Sequence, residues 1–278
     1  MLLLFFMLVN YIEFWAMNRI GLIGVLLMVA SAAWSQVRVD KLVIKAGEAF
    51  EFDNETDILV ADTLVMMDSS RLVLNELKRE NFIRAKVAII GNNCHIVGIG
   101  IHGKAGRDGR DGITSIGPCR DGTNGSIGVS GLSGGAGINL SFYVEHLIVN
   151  GRLIIDLSGG NGGDGGAGGK GGDGSPGTVH CNGGDGANGG NGGRGGDGGQ
   201  GGNLVISSVN ADVIRNQVGT KVLFKNYGGK AGQGGRGGYF GSAGLGPSRK
   251  NGKDGQPGEY GANGVRGTEG TLTFEMNQ

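Results

Sequence analysis

Few side chains in this 278-residue chain have chemistry to offer. Three cysteines (Cys94, Cys119, Cys181) and four histidines (His95, His102, His146, His180) are the candidates for nucleophilic, redox or metal chemistry. His180-Cys181 could open a metal site, but a zinc centre needs four ligands at recognisable spacings, and no second Cys/His pair supplies them. Aspartates among glycines, as in Gly183-Gly-Asp-Gly-Ala187, suggest calcium-binding β-rolls. The nine-residue motif of those rolls needs an apolar residue after the Asp, and here it is missing. Gly165 to Gly172 has the glycines of a phosphate loop, yet Lys170 is followed by Gly171 rather than Ser or Thr, outside any strand–loop–helix context. No serine sits in a nucleophile motif, and no scaffold legible in the sequence sets two carboxylates at a hydrolytic separation. The chain reads as non-enzymatic, without metal or cofactor.

Charge excludes further classes. Lys+Arg and Asp+Glu both number 25, so no basic excess points to nucleic acid or an anionic membrane. Aromatics are 6% of the residues, few for a stacking surface.

The dominant signal is glycine: 62 residues, of which only six lie in the first 100. Glycine weakens helices and strands, so an ordinary helical or α/β enzyme is excluded. Collagen needs abundant proline as well, and the chain has 4.

Three segments follow. Residues 1–35 read as a signal peptide starting at Met17: Arg19 is the basic flank, Ile20 to Ala30 the apolar stretch, and Ala33-Trp-Ser35 the cleavage site. The alternative is a membrane anchor. Cleavage leaves no membrane span and implies a secreted, periplasmic or outer-surface protein, in which disulfides form. Residues 36–102 form an N-terminal β region of short β-branched runs, such as Ile58-Leu-Val60, Leu72-Val-Leu74 and Val87-Ala-Ile-Ile90, separated by turns such as Asp68-Ser-Ser70 and Gly91-Asn-Asn93. Few hairpin dipeptides occur, which favours stacked parallel coils. Residues 103–278 carry the glycine repeat with interleaved strand pairs, so the class expected is all-β, with solenoid or sandwich-like short strands.

The repeat has a period of three in six runs: Gly103–112, Gly122–137, Gly159–177, Gly183–201, Gly229–244 and Gly252–270. They pair as three hairpins, with tips at 113–121, 177–182 and 245–251, and strand-forming stretches at 138–158 and 203–227 between the pairs. A polyproline-II-type helix has three residues per turn and no internal hydrogen bonds, so every third glycine falls on one bare edge that can lie against another backbone. The structural column is Gly159, Gly162, Gly165, Gly168, Gly171 and Gly174 in run three and Gly183, Gly186, Gly189, Gly192, Gly195 and Gly198 in run four. A second column (Gly160 to Gly172; Gly184 and Gly190 to Gly202) makes these two runs interior. Runs one, two and six have one bare edge and are expected at the periphery. Run five, with Gly234 and Gly237 off its main column, is intermediate. The remaining positions, such as Asp164, Asp173 and Asp197, form a solvated edge. With hairpins side by side, the tips share one end, which predicts a Cys119–Cys181 disulfide and leaves Cys94 a buried thiol.

These Gly-Xaa-Xaa runs resemble the polyglycine-II bundles of springtail antifreeze proteins and of phage tail-fibre adhesins, and the interleaved strands resemble solenoid-type glycine-rich bacterial surface proteins. The resemblance implies a bundle of six polyglycine-II helices over about residues 103–278. The surface proteins suggest a structural or display role. The adhesins imply binding of a cell surface, glycan or matrix component through the tips, with Arg120, His180, Tyr239, Phe240 and Arg249 as candidate residues. The antifreeze proteins imply ice binding, for which run two offers Thr123, Ser126, Val129 and Ser133, whereas runs three to six carry Asp, Lys and Arg.

Overall fold

The computed structural model describes residues 36–276 apart from Asn210; the Arg249 side chain also lies outside the described set. The expected signal peptide, its start at Met17 and its cleavage site fall outside these residues.

The chain is mainly β. Strands β1 (Gln36–Ile44), β3 (Ile58–Met66), β5 (Glu80–Ile90), β7 (Asn139–Val149), β9 (Leu204–Ser208) and β11 (Leu272–Met276) form one sheet in that order. Strands β2 (Ala49–Glu51), β4 (Arg71–Val73), β6 (Cys94–Val97), β8 (Leu153–Asp156) and β10 (Val222–Lys225) form the second. Every pairing is parallel, and odd and even strands alternate along the chain. The chain therefore winds as a solenoid, each coil laying one strand on each sheet. The later strands continue the sheets begun by the N-terminal β region.

Parallel register stacks like on like. Val37, Leu59, Ile83, Phe142, Ile206 and Phe274 form one inward ladder of the first sheet, and Phe50, Leu72, Ile96, Ile155 and Phe224 one of the second. Leu59, Ile83, Phe142, Leu72, Ile96 and Ile155 are fully buried. The strands β1, β3, β5 and β7 bend midway, where Asp40, Asp62, Lys86 and Glu145 drop out of register. At Asp62-Thr63 and Glu145-His146 two successive residues face outward, and the inward alternation then resumes.

One element was not legible. The stretch 203–227 reads as strand, polar turn, strand, but between β9 and β10 it contains a helix, α1 (Ala211–Gln217). Ala211 and Ile214 are its buried residues, three apart on one helical face, and Arg215 stacks 5.2 Å from the centre of the Phe274 ring.

The glycine hairpins all leave the solenoid at one corner, between an even strand and the next odd strand, and so extend both sheets outward. Runs one, three and five prolong β6, β8 and β10; runs two, four and six lead into β7, β9 and β11. Hydrogen bonds recur every three residues between runs: Gly106 N–H donates to Asp164 O of run three, Gly128 to Asn191 O of run four, Gly165 to Gln233 O of run five and Gly189 to Gln256 O of run six. Across the two layers Val129 N–H donates to Arg107 O, Gly166 to Val129 O, Gly193 to Gly166 O, Gly235 to Gly193 O and Gly261 to Gly235 O.

The glycine columns match the shared faces one to one. Run one's column lies on run two, and run two's on run three. Run three places its first column on run four and its second on run one. Run four places its first on run five and its second on run two. Run five places its first on run three and its second on run six, whose own column lies on run four. A face needs bare backbone from only one of its two runs. That corrects the expectation for run two: with one column it still touches runs one, three and four, because runs one and four bring their own glycines to it. Runs one and six are the outer edges, and the exposed Lys104, Arg107 and Arg110 on one and Pro257, Tyr260 and Arg266 on the other end the lattice.

Candidate functional site

The three tips lie together at the end far from the solenoid. Cys119 and Cys181 form a disulfide with Cα atoms 6.0 Å apart, and Cys94 is a buried free thiol whose Sγ lies 3.1 Å from Met67 O. Around the disulfide, Cys119 N–H donates to Pro176 O, Ser175 N–H to Arg120 O and Gly177 N–H to Leu245 O, so each tip is bonded to the next. Ser175 Oγ donates to Ser115 O at 2.6 Å. Arg120 and His180 are exposed there, with His180 N–H donating to Thr178 Oγ1. Tyr239 and Phe240 do not belong to the tip: they lie within run five, where Tyr239 O accepts from Gly171 N–H and Phe240 occupies the column facing run six. Arg249 falls in the short 3-10 turn Pro247–Arg249. Aliphatic side chains at all three tips are open to solvent: Ile113 (71%) and Ile116 (94%) on the first, Val179 (72%) on the second and Leu245 (72%) on the third. Among the described residues no group of three or more His, Cys, Asp or Glu side chains could hold a metal ion.

Most aspartates and asparagines of the bundle are exposed, Asp173 and Asp197 being half-buried, and they also do structural work that the repeat does not reveal. A three-residue helix leaves an N–H free at its solvent-facing position. Here the neighbouring run supplies an acceptor: Lys230 N–H donates to Asn161 Oδ1, Gln233 to Asp164, Ser242 to Asp173, Gln256 to Asn188, Glu259 to Asn191 and Val265 to Asp197, all at 2.7 to 2.9 Å. Enrichment of Asp and Asn at this position in an uncharacterised repeat is the signal that would reveal such brackets.

The Ser242 N–H, with Lys170 beside it, holds the Asp173 carboxyl below the ordinary aspartate value; the Val265 N–H and Arg194 do the same for Asp197. A lowered folded-state pKa means stability that is present above the unfolded value, near 3.8, and lost as pH falls through the lower folded value. The contribution of these two carboxylates to thermal stability should therefore be constant from neutral pH to about 5 and decline below about 4. An Asp173→Asn/Asp197→Asn double variant keeps both acceptors but has no proton to gain, so its acid limb should be shallower. An acid limb identical to that of the parent would show that these brackets carry no linkage.

A concave region lies on the outward face of the first sheet. β1, β3, β5 and β7 there line a groove of about 740 Å³. Register places Arg38, Val60, Arg84 and Tyr143 in one row, with Phe82 in the row before and Asp62, Lys86 and Glu145 along the bend. Lys86 Nζ lies 2.9 Å from Asp62 Oδ1, and that hydrogen bond and charge, with Glu145 beyond, raise the lysine pKa. None of these residues stands out in the linear sequence.

Fold and surface define a parallel β-solenoid carrying glycine-run hairpins at one corner. No protein-family model matches the chain, and no curated protein is similar to it. Among solved structures the chain is similar to a springtail antifreeze protein from Granisotoma rainieri, described as a nine polyproline type II helical bundle whose crystal waters match the ice lattice. It is 24% identical, and the match covers 58% of this chain and 93% of that one, with a TM-score of 0.11. At that score the likeness carries no argument about fold or function. Among the described residues no helix is long and apolar enough to cross a membrane.

Proposed function

We propose that this is an exported, non-enzymatic structural protein in which the solenoid is the base and the glycine bundle, six polyglycine-II helices, is a stiff display arm. The carrying observation is that all three hairpins leave one corner and bond to one another along their length, with a disulfide at the far end. At about 3.1 Å per residue, run three would extend roughly 55–60 Å. The disulfide suits an oxidising compartment, in keeping with a signal peptide at residues 1–35. Under non-reducing conditions trypsin should spare residues 103–270, although Lys104, Arg107, Lys170, Lys230 and Lys253 are exposed, because a bonded backbone cannot enter a protease cleft. Rapid cutting throughout 103–270 would sink the reading.

Adhesion through the tips is a second reading, favoured by the exposed Ile116, Val179 and Leu245 on loops pinned to a rigid scaffold. Ice binding fits less well: the broad faces carry Lys170, Arg194, Lys230 and Arg236, whereas an ice-matching face needs small, weakly polar residues.

A further inference from the structure

We propose that the groove on the first sheet, not the tips, is a binding site for an acidic oligosaccharide. Sheet register sets Arg38 on β1 and Arg84 on β5, two strands apart with Val60 of β3 between them. At about 4.8 Å per strand the two stand roughly 9.5 Å apart along the solenoid axis. Both are exposed, and neither has a carboxylate partner among the described residues. A guanidinium presents a planar fork that matches a carboxylate, so this row offers two carboxylate sockets at a fixed separation. Tyr143 stands next to Arg84 in the same row and Phe82 two residues before it, both half-buried. They supply ring faces for the C–H side of a pyranose. The bend residues Asp62, Lys86 and Glu145 edge the groove with acceptors and a donor for hydroxyl groups.

The volume, about 740 Å³, is in the range of small-ligand sites and holds several sugar residues. The strand spacing is close to the length of one pyranose residue, so a saccharide chain along the solenoid axis meets a new strand at about each ring. Alternative polyanions fit less well. Nucleic acid carries phosphate charge every few ångströms, far denser than two free guanidiniums can match. The tip cluster has exposed aliphatics but no aromatic ring face, because Tyr239 and Phe240 sit back in run five.

The test is titration calorimetry of the purified protein with oligogalacturonates of three to six residues, with neutral galactose oligomers and a short DNA duplex as comparators. The acidic oligomers should bind in a salt-sensitive manner, at least about ten-fold more tightly than the neutral ones and more tightly than the duplex. Arg38→Ala/Arg84→Ala should weaken binding at least about ten-fold, and Tyr143→Ala should weaken it with the melting temperature unchanged. A tip variant, Ile116→Ser/Val179→Ser/Leu245→Ser, should bind like the parent. No binding of any oligogalacturonate, binding that survives loss of both arginines, tighter binding of the duplex, or loss only in the tip variant would each overturn the proposal. Since the arm reading is tested by proteolysis, the two can fail separately.

Discussion

Gly166→Ala is expected to destabilise the protein by about 3 kcal/mol and to lower its melting temperature by roughly 6–12 °C. Gly166 belongs to the second column of run three, the column that lies on run one. A Cβ there would sit 2.0 Å from the Arg107 carbonyl oxygen and 2.4 Å from its carbon, whereas ordinary contact begins at 3.4 Å. The obstacle is backbone, so no side chain can rotate away. Run one would have to move by more than an ångström, and it is bonded on both sides: Gly106 N–H donates to Asp164 O, and Arg107 O accepts from Val129 N–H. Moving it stretches several of these bonds at once. An opposing effect exists, since alanine restricts the unfolded chain and stabilises by about 0.4–1 kcal/mol; the clash is several times larger and wins. Gly135→Ala is the control. Its Cβ would lie 3.1 Å from Ile101 N, at the exposed edge of run two, and a shift of tenths of an ångström accommodates it, so its effect should stay within about 1 kcal/mol. Hydrogen exchange should report the same contrast, with amides of Gly163, Gly166 and Gly193 losing protection only in Gly166→Ala. Equal melting temperatures for the two variants would mean that run three does not have run one as a neighbour.

The column logic also shows how much of the molecule could be read from the chain. The phase of glycine fixes which residues are bare, and therefore the hairpins, the interior position of runs three and four, and the meeting of Cys119 with Cys181. It does not say which neighbour brings the bare edge to a shared face, and so a count of columns alone puts run two one rank too far out. The helix α1 was hidden because Ala211, Asp212 and Val213 carry no repeat and a short buried face can serve a turn as well as a helix. The groove was hidden for a different reason. Arg38, Val60, Arg84 and Tyr143 are 22, 24 and 59 residues apart in sequence, and only parallel register aligns them. Once coils of 22 and 24 residues are inferred from the strand runs, outward positions can be stacked by hand. The insertion of a hairpin before β7 breaks that count, so Tyr143 is found only when the hairpin is recognised as an excursion from one corner.

Loss of the Cys119–Cys181 bond is expected to lower stability by about 4 kcal/mol in the chain-entropy model, for a sequence separation of 62 residues. The closed loop contains run two, β7, β8 and run three, all held in the folded state by the sheets and the bundle, so the cross-link acts mainly on the unfolded ensemble. That ensemble is unusually free, because glycine has more backbone conformations to lose than any other residue. The native tips are affected too. Cys119 has φ of +62°, a left-handed conformation that a non-glycine residue holds only when its surroundings impose it, and here they do so through the Pro176 carbonyl and the cross-link. Cys119→Ser/Cys181→Ser should therefore melt well below the oxidised parent and at the same temperature as the parent in reductant, with trypsin gaining access at Arg120. Cys119→Gly/Cys181→Ser should recover about 1 kcal/mol of the loss, because glycine adopts the left-handed turn freely while the cross-link remains absent. Cys94 is buried in the solenoid beside Ser70 and Met67 and cannot replace either partner. If the glycine variant melts no higher than the serine variant, the left-handed turn at Cys119 is not a source of strain. If all forms melt together, the tips open without consequence for the rest of the chain, and the far end of the bundle is not part of its cooperative unit.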